Sequence, residues 1–182
     1  MMDTRNHEIA ALITSKSLDE LPFLHACLQE TLRLHPAVPL VLLPSRAEDI
    51  EEDDTLPAGE VFISSKKGNV VFIAPYSLAR MTSIWGPDAA QFNPDRWLQS
   101  GKLEPASDSK FVTFQAGLYT GAVKDLTYQS CKVVTAILVR FFEFIRACPF
   151  NRSPKYRMTS TLVMESGLQM YPRLKDKMGA II

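Results

Sequence analysis

Glu30 and Arg33 are the residues of this chain whose types and spacing most readily suggest a chemical role. Three positions apart, they fall on one face of a helix. Two readings fit the pair. As a solvated ion pair it would contribute only ~0.2–0.5 kcal/mol. Flanked by Leu28, Leu32 and Leu34, it could instead act as an arginine fork beside a carboxylate, pinning a distant irregular segment through bidentate hydrogen bonds. The other candidates are weaker. Cys27, Cys131 and Cys148 are odd in number, far apart and without CxxC spacing, which argues against a disulfide framework or a zinc site. They read as small hydrophobic residues in a reducing compartment. His7, His25 and His35 stand alone, without metal-ligand spacing.

The stretch carrying Glu30 and Arg33, residues 21–39, is an amphipathic helix by its period: Leu24, Leu28 and Leu32 recur every four positions. Asp19 and Glu20 ahead of Pro22 suggest an acidic first turn, and His35-Pro36 ends the helix. Residues 37–43 are apolar, interrupted by proline and extended. Arg46 and an acidic run follow, in which six of residues 48–54 are acids, read as a solvated loop. Residues 61–63 and 70–73 read as short strands around Lys67-Gly68-Asn69. Helical turns are expected over 78–85 and 87–91, then an irregular aromatic segment over 92–97 and a polar loop over 98–110. Residues 111–117 read as extended. One long helix is expected over 124–146, with a β-hairpin around Ser166-Gly167 behind it. A short helix is expected over residues 7–14, in a poorly defined lead-in, residues 1–17.

At 182 residues the chain is long enough for one domain with a core. Its formal net charge of zero excludes the basic signature of a nucleic-acid partner. No apolar run reaches bilayer-spanning length; the longest, residues 133–145, is interrupted by Arg140 and Glu143. The first residues have no signal-peptide character.

Three motifs, in order, resemble the C-terminal part of a cytochrome P-450, a haem-thiolate monooxygenase. Glu30-Thr31-Leu32-Arg33 before Leu34-His35-Pro36 is similar to the family's Glu-x-x-Arg helix. Phe92-Asn93-Pro94-Asp95-Arg96-Trp97 is similar to its Phe-x-Pro-x-Arg-Phe/Trp segment, whose arginine joins that pair in a buried cluster. Phe114-Gln115-Ala116-Gly117 and the stretch from Lys124 resemble the flanks of its haem-binding loop. The resemblance implies a mainly α fold with small β-sheets (α+β), an incomplete C-terminal part of the family domain. It runs from residue 18 to the end, within a single unit over residues 1–182. Ala37-Val38-Pro39, Ser83-Ile84-Trp85-Gly86 and Phe114-Gln115-Ala116-Gly117 look most like plant long-chain fatty-acid hydroxylases.

The resemblance also assigns roles. Glu30, Arg33 and Arg96 form the structural ion cluster. Arg46 falls where the family often places an arginine on a haem propionate, or else it balances the acidic loop. Val38, Leu40, Val41, Val163 and Met164 fall where the substrate channel is lined, or else they pack the core. Haem is the implied cofactor, with a reductase, a fatty-acid substrate and the endoplasmic-reticulum membrane as the implied setting.

The loop departs from the family pattern Phe-x-x-Gly-x-Arg-x-Cys-x-Gly. Phe114 and Gly117 match, but Tyr119 replaces the arginine, Gly121 the cysteine ligand and Val123 the last glycine. A thiolate donates electron density to the iron and favours O–O cleavage, and glycine has no ligand atom. Tyr119 lies two residues short of the ligand position. The oxygen-activating helix of the family has no counterpart ahead of Glu30. Two readings of function follow: a piece of a fatty-acid-hydroxylating monooxygenase, inactive as written, or a haem-free remnant serving as an interaction module. The replaced residues 118–123 are either a real substitution or an error of the gene model.

Overall fold

The computed structural model describes residues 18–42, 54–58, 61–65, 72–104, 106–107, 110–114, 124–147, 155–165 and 167–175. Arg46, Gly117, Tyr119 and Gly121 lie outside these, as do residues 1–17, the Lys67-Gly68-Asn69 turn and Cys148.

Helix α1 (Pro22–Leu34) carries the architecture. Pro22 opens it, where a missing N–H costs nothing, and the His35 N–H caps its end by donating to the Thr31 carbonyl at 2.7 Å. Its first turn holds no acid, because Asp19 and Glu20 stop short of it. The face it buries includes Ala26, Gln29, Glu30, Arg33 and Leu34. Three of these are polar, so the helix is amphipathic with a polar insert on its inner side.

The chain then bends through residues 37–40 into β1 (Val41–Leu42). Strands β2 (Asp54–Ala58) and β3 (Val61–Ser65) form a hairpin, while β4 (Phe72–Ile73) returns to pair antiparallel with β1. Residues 61–65 therefore do not pair with 72–73, contrary to the strands expected around Lys67. The extended stretch after α1 needs a partner for its backbone, and residues 72–73 supply one. Two short helices, α2 (Pro75–Leu78) and α3 (Thr82–Trp85), lead through turns over residues 87–90 to a 3₁₀ helix, Pro94–Trp97. Residues 98–110 are not all loop: β5 (Leu98–Gln99) and β6 (Lys102–Leu103) pair across Ser100 and Gly101, both at positive φ (50° and 75°). A two-residue hairpin turn demands that geometry, and Ser-Gly meets it. Residues 112–114 form a 3₁₀ turn where an extended piece was expected.

Helix α4 (Lys124–Phe141) is shorter than the expected helix over 124–146, because the chain becomes β7 (Phe142–Arg146). Phe142, Phe144 and Ile145 are strand-favouring types, and β10 (Met170–Leu174) offers them a complete antiparallel ladder, from Met170 opposite Arg146 to Leu174 opposite Phe142. The hairpin of the tail is correspondingly different. β8 (Tyr156–Met158) pairs with β9 (Leu162–Met164) across residues 159–161, and β10 has left for β7. Among the described residues the result is helices with five two-stranded sheets.

The core sits under α1, where Ala26, Trp85, Ala89, Trp97 and Phe111 form one buried cluster. Elsewhere apolar side chains face outward. Leu126, Val134 and Val139 on α4, and Tyr171 on β10, are each more than half exposed.

α1 meets α4 where His25 stacks on Tyr128, ring centroids 4.5 Å apart. Burial, then the charge of Lys132, lowers the His25 pKa to about 4, with Asp19 opposing. A folded pKa below the free-histidine value of about 6.5 means that the unfolded chain takes up the proton first. The stability His25 contributes is complete above pH ~6.5 and is lost as pH falls through about 4. The melting temperature is therefore expected to fall between those pH values, and less steeply in a His25→Gln variant. Parallel pH profiles for the two proteins would refute the assignment.

Candidate functional site

Glu30 and Arg33 are both fully buried, and their side chains meet in a bidentate pair: Arg33 Nε donates to Oε2 and Arg33 Nη2 to Oε1, each at 2.8 Å. The rest of the guanidinium reaches away from the helix. Nη1 donates to the carbonyls of Ala79 and Ala89, and Nη2 to the carbonyl of Gln91 at 3.1 Å. These five bonds match the five N–H groups of an arginine. The carbonyls they hold lie outside regular elements, Ala79 between α2 and α3 and Ala89 and Gln91 between α3 and the 3₁₀ helix, so side-chain donors satisfy them.

The carboxylate is equally saturated. Glu30 Oε1 also accepts from the Asn93 backbone N–H at 2.8 Å and from Arg96 Nε at 3.1 Å, and Oε2 accepts from the Trp97 indole at 2.9 Å. Arg96 in turn donates to the Trp85 carbonyl, and to the Asp88 carbonyl and carboxylate, the last at 2.8 Å. Asn93 donates to the same Asp88 oxygen at 3.0 Å and accepts from the Asp95 N–H, capping the 3₁₀ helix. The cluster thus holds two arginines and two carboxylates, and is charge-balanced.

Burial by itself would raise the Glu30 carboxyl. Hydrogen bonds from Arg33, the Asn93 N–H and Trp97 outweigh it and hold the pKa below the usual carboxylate range. Asp88 is lowered as well, by Asn93 first and then Arg96. An ionised, fully bonded, water-inaccessible carboxylate has no proton to give and no free lone pair to take one. The arrangement is therefore built to position backbone, not to carry a general acid or base.

The structure brings Glu30, Arg33 and Arg96 into contact across 66 residues of sequence. Asp88, Asn93 and Trp97 complete the set. Sequence reasoning did not assign their roles, although Trp97 beside Arg96 carried one signal: a buried indole N–H needs an acceptor. Phe114 lies on a 3₁₀ turn, half-buried, with its ring 5.4 Å from that of Tyr128 and its side chain against the core cluster. Val38 and Leu40 are exposed on the bends after α1, and Val163 is exposed on β9 beside half-buried Met164. The Leu162 N–H donates to the Ala37 carbonyl at 2.9 Å and so holds β9 against those bends. Val41 lies in β1.

Residues 4–170 match the Cytochrome P450 family, and the chain belongs to it. Among its relatives, cytochrome P450 704C1 of Pinus taeda is 42% identical over 170 residues, 92% of this chain and 31% of that protein. Cytochrome P450 704B1 of Arabidopsis thaliana is 44% identical over 163 residues, 90% of this chain and 29% of that one. Alkane hydroxylase MAH1 of Arabidopsis thaliana is 33% identical over 145 residues, 79% of this chain and 28% of that protein. The fold is similar to the crystal structure of a cytochrome P450 (CYP102L1), with a TM-score of 0.70 and 25% identity, covering 88% of this chain and 33% of that one. The chain spans about a third of the length of the relatives it matches.

Haem is the cofactor that membership of the family implies. The donor set does not fit a thiolate-ligated haem. Position 121 in the loop sequence is glycine. Among the described residues, the free cysteines are Cys27 on α1 and Cys131 on α4, both half-buried within helices. Burial, then Asp95, raises the Cys27 thiol pKa, the wrong direction for a thiolate ligand. No group of three or more potential ligand residues occurs among the described residues.

Proposed function

We propose that this chain is the scaffold portion of a monooxygenase related to plant hydroxylases of long aliphatic chains, and that as written it is catalytically silent. The observation that carries the second half is Gly121 at the ligand position, between flanks that keep the family pattern at Phe114, Gly117 and Lys124. Without a thiolate, the electron donation that favours O–O cleavage is missing. The aliphatic-chain assignment is supported by the name of one relative, an alkane hydroxylase, and by the exposed apolar residues Val38, Leu40 and Val163. In this reading Val41 and Met164 belong to the same channel lining, and Arg46 is the propionate arginine. The Glu30–Arg33–Arg96 cluster keeps the segment before the haem loop in place. A fatty-acid substrate, a reductase partner and an endoplasmic-reticulum setting belong to the whole enzyme. Among the described residues no helix is long and apolar enough to cross a membrane.

The test is spectroscopic. The chain is expressed, supplied with haem, reduced and exposed to carbon monoxide. A spectrum without a thiolate-type Soret band is expected. A thiolate-type band would show that a cysteine ligates after all and would overturn the reading. Sequencing the transcript across residues 116–125 checks that Gly121 is the residue the gene encodes.

A further inference from the structure

The β8–β9 hairpin is an exposed arm: over residues 155–165 every side chain but those of Leu162 and Met164 is open to solvent. Among the described residues it is docked on the chain after α1 through a hydrogen bond and a ring stack. The Leu162 N–H donates to the Ala37 carbonyl at 2.9 Å, and the Tyr156 ring stacks on His35, centroids 5.0 Å apart. The surface it docks on is fixed from the other side by α2. The Tyr76 N–H donates to the Pro39 carbonyl at 3.3 Å. Arg80, just past α2, donates to the Leu34 carbonyl at 2.7 Å and the Tyr76 carbonyl at 3.1 Å, with its guanidinium carbon 3.7 Å from the Tyr76 ring centre. Its charge is therefore held beside the end of α1, where His35 is the next residue.

His35 is half-buried, and its Nδ1 is buried without a hydrogen-bond partner. That environment suits a neutral imidazole and not a cation. An imidazolium carries a proton on each nitrogen; at Nδ1 that proton would meet no acceptor, and the new charge would stand beside Arg80. Among the described residues, Tyr76 and Tyr156 bring phenol rings rather than a countercharge, and Arg33 is committed to Glu30. Lys155, Arg157 and Glu165 of the hairpin are exposed. Burial first, then Arg80, lowers the His35 pKa from 6.5. A lowered value means that docking supported by neutral His35 is complete above pH ~6.5 and is lost as pH falls through the folded value.

We propose that His35 is a pH-sensitive latch for the β8–β9 hairpin: neutral, it keeps the Tyr156 stack and holds the hairpin against residues 37–40, and protonated, it gives up the stack to reach water and releases the hairpin. The hairpin carries Val163 and Met164, so in the channel reading above release moves part of the lining. The latch itself does not depend on that reading.

The first measurement is amide hydrogen exchange on the full chain at about pH 7.5 and about pH 5, the range in which histidine changes charge, corrected for the intrinsic pH dependence of exchange. The Leu162 amide is expected to lose protection several-fold at the lower pH, while the Lys175 amide, bonded to the Phe141 carbonyl beside the β7–β10 ladder, keeps its own. His35→Phe retains a ring for the stack and takes no proton, and it is expected to hold Leu162 equally protected at both pH values. The second measurement is titration of the His35 ring protons by NMR. Docking and protonation oppose each other, so removing the stack must raise the His35 pKa toward 6.5. Tyr156→Leu, a change at an exposed residue, is expected to do so. Circular dichroism verifies that each variant is folded; if His35→Phe is not, Tyr156→Leu decides. The proposal is overturned if Leu162 protection is the same at both pH values, if it falls equally in folded His35→Phe, or if His35 titrates identically in the parent and Tyr156→Leu.

Discussion

Glu30→Ala is expected to destabilise the chain by about 3–5 kcal/mol, because it strands a buried arginine rather than merely deleting a contact. Arg33 and Glu30 are both 0% exposed in their side chains, so neither guanidinium nor carboxylate can turn to water when its partner is lost. With Glu30 gone, Arg33 keeps its three carbonyl acceptors but loses its countercharge, and Asn93, Arg96 and Trp97 each lose an acceptor. For a chain of this size the loss corresponds to a fall in melting temperature of about 10 °C or more, and it is a large fraction of the total stability of an ordinary domain. Arg33→Lys is expected to behave much the same, since a lysine offers three donors from one point and cannot bridge both Glu30 oxygens and the carbonyls of Ala79, Ala89 and Gln91. Thermal unfolding followed by circular dichroism reads both. A Glu30→Ala protein melting within a few degrees of the parent would show that the cluster is no more than a tolerated polar insert.

What made α1 legible was a local signal, the four-residue recurrence of leucine with proline at each end. What made the helix over 124–146 illegible in its last turn was the lack of one. Nothing between Phe141 and Arg146 breaks a helix, and the change to strand is decided by β10, whose residues lie downstream of their partners by between 24 (Met170 and Arg146) and 32 (Leu174 and Phe142) positions. The same holds for β1, whose partner at Phe72–Ile73 cannot be read from either segment alone. At the site, Glu30 and Arg33 announced themselves by spacing. Arg96 came only from resemblance, because 66 residues separate it from Glu30. Asp88 and Asn93 gave no signal, since turn segments rich in Asp and Asn are usually wet. Their importance arises from burial, and burial is a property of the assembled chain.

Trp97 is where the polar cluster and the apolar core are the same residue, and this makes its substitutions separable. The ring is 1% exposed, 5.5 Å from Trp85 and 5.1 Å edge-on from Phe111, while its N–H donates to Glu30. Trp97→Ala removes both contributions and is expected to cost about 3–5 kcal/mol, most of it from the cavity left among Ala26, Trp85, Ala89 and Phe111. Trp97→Phe retains much of the aromatic packing and removes the donor to a buried carboxylate, a hydrogen bond of the class that contributes about 1.5–3 kcal/mol. If the indole acts on the carboxylate, the loss from Trp97→Phe should shrink when Glu30 is already glutamine, because the charge that strengthened the bond is gone. A coupling of about 1 kcal/mol or more in that double-mutant cycle is expected. Additive losses would assign Trp97 to packing alone and leave Arg33, Asn93 and Arg96 as the groups that hold Glu30 ionised.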